Sequence, residues 1–257
     1  MRWSSPRRIA MQSLTSVEKA VDVLFHLHAA PMPVGVTQLG RALGLPKSSA
    51  HRLLASLERR GLVQRGERGG YAPGLGLVAL GLGAQDREPL VASARTVLES
   101  EARATGETVF LVAARARRLV VLDKVEGTGF LRASPRVGSE VPVHATAVGK
   151  LFLAFGDDVA APEPLEQFTA HTPATAAELA RAVDRARAEG TATSHEEWIR
   201  GLSVLAAPIS VRGRLRGALA LGAPAPRLDA QREPALRARV RAAADHIAAR
   251  LAGTRHD

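Results

Sequence analysis

The chain of 257 residues has a formal net charge of +10 and no cysteine, which excludes disulfides, thiolate catalysis and cysteine-ligated metal sites. It can bury one large or two small hydrophobic cores and has no apolar run long enough to span a membrane, so we expect a cytoplasmic protein without membrane association. Residues 1–84 hold 11 Lys+Arg against 4 Asp+Glu and the remainder 24 against 21, which favours a nucleic-acid-binding module joined to a nearly neutral one over a generally arginine-rich composition.

The first predicted helix follows a basic N-terminal segment. Residues 1–13 lack the apolar stretch of a signal peptide, and they predict a disordered arm. Thr15 and Glu18 have the spacing of a capping box, which marks the start of a helix with an apolar stripe. This helix must end before Pro31, because proline cannot continue it.

Residues 37–60 carry the pattern that is most informative about function. Two short helical patterns are joined through Gly44, Leu45 and Pro46, which is the layout of a helix-turn-helix. The first turns of the second helix in such a unit enter the major groove of DNA. Polar side chains stand there, off the apolar stripe, and we expect them to contact bases and phosphates: Lys47, Ser48, Ser49, His51 and Arg52. Arg52 is the best candidate for a guanine contact, because its guanidinium can donate two parallel hydrogen bonds.

A glycine-rich turn between two short apolar segments predicts a β-hairpin over residues 61–73. Residues 14–73 are therefore expected to form a winged helix-turn-helix domain that binds DNA. Arg65 and Arg68 lie in the wing, where we expect them to contact backbone phosphates.

Residues 74–88 predict a linker helix rich in glycine and leucine. Gly74 and Gly76 resemble the start of a dinucleotide-binding fingerprint, but Ala79 stands where the third glycine is required. We expect residues 75–82 to form an apolar surface through which two copies of the chain pair.

Residues 89–254 predict a second domain, in which helices alternate with paired strands. Strands joined by short turns indicate antiparallel pairing, so the expected class is α+β with a mainly antiparallel sheet. The predicted helices are 90–104, 145–155, 175–189 and 230–251, and the predicted strands are 108–114, 119–125, 204–211 and 215–221.

Candidates for catalysis or cofactor binding are few in this second domain. Gly149 and Lys150 lack the further glycine and the hydroxyl residue that a phosphate-binding loop requires. His144 precedes a predicted helix, where it can cap the helix or bind a ligand, and a local hydrogen bond is the favoured interpretation. Residues 196–198 are either an acidic surface loop with one anchoring tryptophan or part of a binding site. We expect no catalytic residue, metal site or cofactor, although a hydrolase triad built from distant residues stays open as an alternative.

Five segments of the chain resemble the IclR family of bacterial transcription regulators. They are 16–20 (SVEKA), 43–54 (LGLPKSSAHRLL), 61–63 (GLV), 141–150 (VPVHATAVGK) and 201–208 (GLSVLAAP). The resemblance covers nearly the whole chain beyond the first dozen residues. It implies a GAF-like α/β effector-binding domain, binding to double-stranded operator DNA as a homodimer or a dimer of dimers, and control by a small metabolite.

The resemblance also implies where an effector binds. Members that bind small 2-oxo acids line the site with an aspartate, a cysteine and two serines. The matching positions here are Ser194, Val204, Ala220 and Gly222, and Ala147 belongs to the effector-domain signature. Since most of the polar groups are missing, we expect a more apolar or aromatic effector than a 2-oxo acid.

Two functions remain in view from the sequence alone. The first is a DNA-binding regulator, most simply a repressor, that a small molecule controls. The alternative is a small-molecule-binding or enzymatic α+β protein whose helix-turn-helix mediates contact with another protein.

Overall fold

The computed structural model describes residues 15–66, 69–129, 132, 133, 135–156 and 158–253. The predicted arm at 1–13 and the predicted DNA contact Arg68 lie outside the described residues. The chain divides into two compact units between Gln85 and Asp86.

The N-terminal unit is a winged helix-turn-helix followed by a further helix. Its elements are α1 (Ser16–Ala29), α2 (Val36–Leu43), α3 (Lys47–Arg59), β1 (Val63–Arg65), β2 (Tyr71–Pro73) and α4 (Leu75–Asp86). Thr15 and Glu18 form the predicted capping box at the start of α1. The strands β1 and β2 pair antiparallel, and Val34 forms an isolated bridge with Tyr71 that ties the wing to the helices.

One small core holds these elements together. It contains apolar side chains from all three helices and from the wing, among them Val23, Leu39, Leu54 and Tyr71, each at most 3% exposed. Because the buried residues of α3 recur at helical spacing, the opposite side of that helix faces solvent.

The C-terminal unit is a six-stranded antiparallel sheet with helices on both faces. Its elements are α5 (Pro89–Thr105), β3 (Thr108–Arg115), β4 (Arg118–Val125), β5 (Glu140–Val141), α6 (Ala147–Phe155), α7 (Ala176–Glu189), β6 (Ala192–His195), β7 (Leu202–Val211), β8 (Arg214–Pro224) and α8 (Glu233–Gly253). The strand order is β5-β4-β3-β8-β7-β6, and neighbouring strands run antiparallel.

The two faces of this sheet bury separate apolar clusters. Leu111, Leu205 and Leu219 pack against α5 and α8 on one face. On the other face, residues that alternate with these along the strands, such as Phe110 and Ala220, pack against α6 and α7. Because both faces are covered, the central strands are nearly continuous apolar runs.

The predicted α+β class is confirmed, with a winged helix-turn-helix in the N-terminal unit and a mainly antiparallel sheet in the C-terminal unit. Helix α6 begins two residues later than predicted, because Thr146 is its N-cap and accepts a hydrogen bond from the Gly149 N–H at 3.1 Å. The last helix, α8, begins at Glu233 and not at residue 230. The short strands β5 and β6 were not predicted from the sequence. They form by pairing with the longer strands β4 and β7.

Candidate nucleic-acid interface and effector site

The outward side of α3 carries the side chains that the sequence predicts to contact DNA. Four of the five, Lys47, Ser48, His51 and Arg52, are exposed, and Ser49 is half-buried. Ala50, Leu54 and Leu57 hold the opposite side in the core. Ser48 and Arg52 lie four residues apart on one face of the helix, so their side chains are neighbours.

The turn before α3 is held tightly by two glycines. Gly44 ends α2 in the left-handed region at φ +64°, a conformation that costs glycine little. A Cβ at Gly40 would stand 2.9 Å from the Leu45 carbonyl oxygen, so only glycine allows this approach. The Leu45 N–H donates to the Gly40 carbonyl at 2.8 Å. The turn therefore fixes the angle at which α3 leaves α2.

The wing places Arg65 on the surface. Its guanidinium carbon lies 5.8 Å from the centre of the Tyr71 ring, a distance at which a cation is attracted to the ring face. Tyr71 is itself 3% exposed and pairs with Arg65 across the hairpin. The cation is thus oriented by the core while it remains accessible.

The four positions implied to line an effector site lie together on one face of the sheet. Ser194, Val204 and Gly222 are paired in one row across β6, β7 and β8, and Thr108 of β3 continues that row. Ala220 lies in the next row on the same face, between Ala206 and Phe110. Ala147, the first residue of α6, is in the same buried cluster.

Apolar atoms occupy the space beside Gly222. A Cβ at this position would lie 2.9 Å from the Ala133 Cβ and 3.3 Å from Cε1 of Phe110. A serine would not be accommodated without movement of these neighbours. Thr108 is also engaged, because its hydroxyl donates to the Ala133 carbonyl at 2.6 Å and accepts from the Gly127 N–H at 3.2 Å. The face is therefore lined mainly by methyl groups and one aromatic ring.

His144 is held by local contacts. Its Nε2 donates to the Glu166 carbonyl oxygen at 2.7 Å, since a carbonyl can only accept, and its ring stacks on Phe168 with centroids 5.6 Å apart. The favoured interpretation of a local hydrogen bond is confirmed, whereas capping of α6 by His144 is wrong because Thr146 caps that helix.

Lys150 and Glu197 form a buried ion pair that was not predicted from the sequence. Their side chains are 5% and 13% exposed, and Nζ of Lys150 donates to Oε1 of Glu197 at 2.5 Å and to the Thr193 carbonyl at 2.9 Å. Burial lowers the pKa of Lys150, while the Glu197 carboxylate opposes that shift. The acidic segment at 196–198 is thus not simply a surface loop. One sequence signal pointed here, because Lys150 is the only charged residue in the otherwise apolar α6.

Across the described residues, no three His, Cys, Asp or Glu side chains are grouped so as to hold a metal ion. Likewise, no helix in the described part of the chain is long and apolar enough to cross a membrane.

An exposed basic helix on a winged helix-turn-helix, followed by an α/β unit with a buried apolar sheet face, is the architecture of ligand-responsive DNA-binding proteins. Family models agree: the IclR helix-turn-helix domain matches residues 16–67, and the bacterial transcriptional regulator IclR C-terminal domain matches residues 83–249. The chain belongs to the IclR family of bacterial transcription regulators. It has an N-terminal DNA-binding domain and a C-terminal effector-binding domain.

Individual relatives cover most of the chain. The HTH-type transcriptional regulator XynR of Escherichia coli is 32% identical over 226 residues, covering 85% of this chain and 90% of that protein. The acetate operon repressor of Salmonella typhimurium is 29% identical over 254 residues, covering 95% and 92%. The crystal structure of an IclR homolog from Microbacterium hydrocarbonoxydans, complexed with 4-hydroxybenzoate, superposes with a TM-score of 0.80 at 24% identity, covering 93% and 100%.

Proposed function

We propose that the chain is a repressor that binds a palindromic operator as a homo-oligomer and is released by a small apolar or aromatic effector. The observation that carries the proposal is the exposed polar face of α3 opposite a fully packed core. Relatives that include an operon repressor support repression as the sense of control. DNA is the partner, so we place the protein in the cytoplasm and assign it no enzymatic activity and no cofactor.

The DNA contacts divide into two kinds. Arg52 and His51 stand where a helix in the major groove reaches base edges, so they are assigned to sequence recognition. Lys47, near the helix start, and Arg65 of the wing are assigned to phosphates, because a flexible ammonium and a wing cation suit backbone contact. Ser48 and Ser49 supply hydroxyls at the helix start, where phosphate oxygens accept hydrogen bonds. Arg68 lies between the two wing strands in the sequence, and on that position alone we assign it the same phosphate role.

The effector is assigned to the sheet face formed by Val204, Ala220 and Gly222, with Ser194 at one end and Ala147 opposite. Ala147 begins α6, so its backbone N–H is among those that the helix leaves without an intrahelical partner. That group suits a carboxylate, while the methyl-lined face suits a ring. The structural neighbour that was solved with 4-hydroxybenzoate supports an aromatic acid as the first compound to test.

We assign the contact between subunits of the homo-oligomer to α4. Leu75, Val78, Leu80 and Leu82 of this helix are between 53% and 79% exposed. A helix that is apolar around much of its surface needs a partner to bury it. One wing and one helix also read too few base pairs for useful specificity, and a two-fold pair doubles the set of contacts.

The alternative is an α+β protein whose helix-turn-helix binds another protein. It differs from the proposal in how the affinity for DNA should depend on salt concentration. A mobility-shift assay on DNA from upstream of the coding region, repeated at rising salt, separates the two. Each phosphate that the protein neutralises releases counterions, so the logarithm of the association constant should fall steeply and linearly with the logarithm of the salt concentration. No retarded complex at low salt would refute DNA binding through this domain.

A further inference from the structure

A cavity of about 360 Å³ lies beside the Lys150–Glu197 ion pair. It is bounded by α6, by α7, by the loop before α7 and by the turn between β6 and β7. None of the five residues assigned to the effector lines it. The cavity is large enough for an organic molecule of roughly ten non-hydrogen atoms, since ligand pockets start at about 300 Å³.

The inner wall of this cavity is the Lys150–Glu197 ion pair. Oε1 of Glu197 is bound to Lys150, whereas Oε2 is buried and has no hydrogen-bond partner among the described residues. A buried carboxylate oxygen without a donor is costly, so the site favours a ligand that brings an O–H or N–H.

The outer wall carries two arginines of α7 that are not used for packing. Arg181 donates only to the carbonyl of Ala177 on its own helix, at 3.2 Å. Arg185 makes no hydrogen bond or ion pair with any residue in the described part of the chain, and its charge helps to lower the pKa of Lys150. Glu178 also lines the cavity, but its carboxylate accepts from the N–H groups of Ala174 and Thr175.

The charge of the lining therefore favours an anion. Lys150 and Glu197 offset one another, and Glu178 offsets one of the two arginines, so one cation is left in excess. A guanidinium binds a carboxylate through two parallel hydrogen bonds, which gives direction as well as charge. Ala170, Pro173 and Ala182 add apolar surface between the arginines and the ion pair.

We propose that this cavity is a second ligand site that binds a small hydroxycarboxylate. The carboxylate of the ligand is held by Arg185 and Arg181, and its short hydrocarbon chain lies against Ala170, Pro173 and Ala182. Because Oε2 of Glu197 is buried, the side chain of Glu197 turns toward the cavity to accept the hydrogen bond from the ligand hydroxyl. The site shares no residue with those assigned to the effector face or to DNA binding.

Calorimetric titration of the full chain without DNA tests this proposal with three matched compounds: 2-hydroxyhexanoate, hexanoate and hexane-1,2-diol. We expect 2-hydroxyhexanoate to bind in the micromolar to millimolar range and hexanoate, which lacks the hydroxyl, to bind about tenfold more weakly. The diol, which lacks the carboxylate, should give no measurable binding. Equal affinity for all three compounds, or no binding of 2-hydroxyhexanoate in the millimolar range, would overturn the proposal.

Two arginine variants of α7 locate the compound. Arg185→Gln should weaken binding of 2-hydroxyhexanoate about tenfold or more, because it removes a charge-assisted contact from an exposed position that the fold does not need. Arg187→Gln is the matched control, since Arg187 is exposed on the same helix but is bound to Asp184 and does not line the cavity. An unchanged affinity in the first variant, or an equal loss in both, would place the compound elsewhere.

Discussion

At the scale of single residues, the exposed face of α3 separates two electrostatic roles that mutation can distinguish. Arg52→Ala should weaken binding to the specific operator by about 1–3 kcal/mol and relax the sequence preference at one position, because a bidentate guanine contact is lost. The fold should be unaffected, since the side chain is exposed. Footprinting and affinity on operator variants measure both effects. A wild-type footprint and affinity would refute the assignment of α3.

Lys47→Ala is the counterpart to that substitution. It should weaken binding by a similar factor on every DNA sequence and reduce the salt slope by about 1, because a phosphate contact carries no sequence information. Titrations at several salt concentrations on specific and unrelated DNA measure the loss of affinity on each DNA and the change in the salt slope. If Lys47→Ala changed sequence preference and left the slope alone, the division into base and phosphate contacts would be reversed.

The buried Lys150 makes a prediction about pH. Burial lowers its pKa in the folded protein below the ordinary lysine value of 10.5, in spite of the Glu197 carboxylate. Between the lowered pKa and 10.5 the unfolded chain binds more protons than the folded chain, so the contribution of Lys150 to the free energy of unfolding rises with pH in that window. Denaturation of the wild type and of a Lys150→Met, Glu197→Leu double variant at several alkaline pH values measures this contribution. The two proteins should diverge as pH rises, and parallel curves would contradict the prediction.

Helix α3 and the Lys150–Glu197 ion pair show which features of single residues can be predicted from the sequence and which cannot. The outward face of α3 follows from helical periodicity, because Ala50, Leu54 and Leu57 fix which side is buried. No local rule connects Lys150 with Glu197, which is 47 residues away, and charged residues are buried only when tertiary structure supplies a partner. The apolar neighbours of Lys150 in α6 point to its burial, but they do not identify the partner.

At the scale of elements, α4 is a helix whose apolar side chains are left exposed in a single copy of the chain. Apolar side chains cover it, yet Leu75, Val78, Leu80 and Leu82 are exposed. Leu80→Glu combined with Leu82→Glu should therefore lower the molar mass in light scattering, because a charge in a buried apolar interface is costly. Met32→Glu is the matched control, since Met32 is 69% exposed in the same unit but outside α4. A wild-type mass for the α4 variant, or a monomeric wild type, would refute pairing through this helix.

Elements were predictable where they are long and periodic. The helices of the second unit and the strand pairs β3–β4 and β7–β8 follow from apolar periodicity and the turns between them. The strands β5 and β6, with two and four residues, carry too few side chains for a pattern. They exist because the edges of β4 and β7 offer unpaired backbone groups.

At the scale of the whole molecule, the protein is a regulator only if binding of the effector to the C-terminal unit changes the affinity of the N-terminal unit for DNA. Effectors must then bind the DNA-bound and free forms with different affinity, because a ligand shifts an equilibrium only by that difference. The residues around Gly222 bear on which compounds qualify. Ala133 and Phe110 occupy the space that a polar side chain at 222 would need, so a small oxo acid finds few donors there.

Glyoxylate and pyruvate should therefore bind weakly and leave the operator complex intact, whereas 4-hydroxybenzoate or another aromatic acid should dissociate it. An oxo acid has few carbon atoms to offset the cost of burying its carboxylate, while a ring gains about 25 cal/mol for each Å² of apolar surface buried. Calorimetry and mobility shift with the same panel measure binding and release separately. Val204→Phe narrows the face and should weaken binding of the aromatic acid about tenfold or more, through steric conflict, without changing DNA affinity in its absence. Micromolar binding of glyoxylate or pyruvate, with no response to the aromatic acids, would show that the effector lies against different residues.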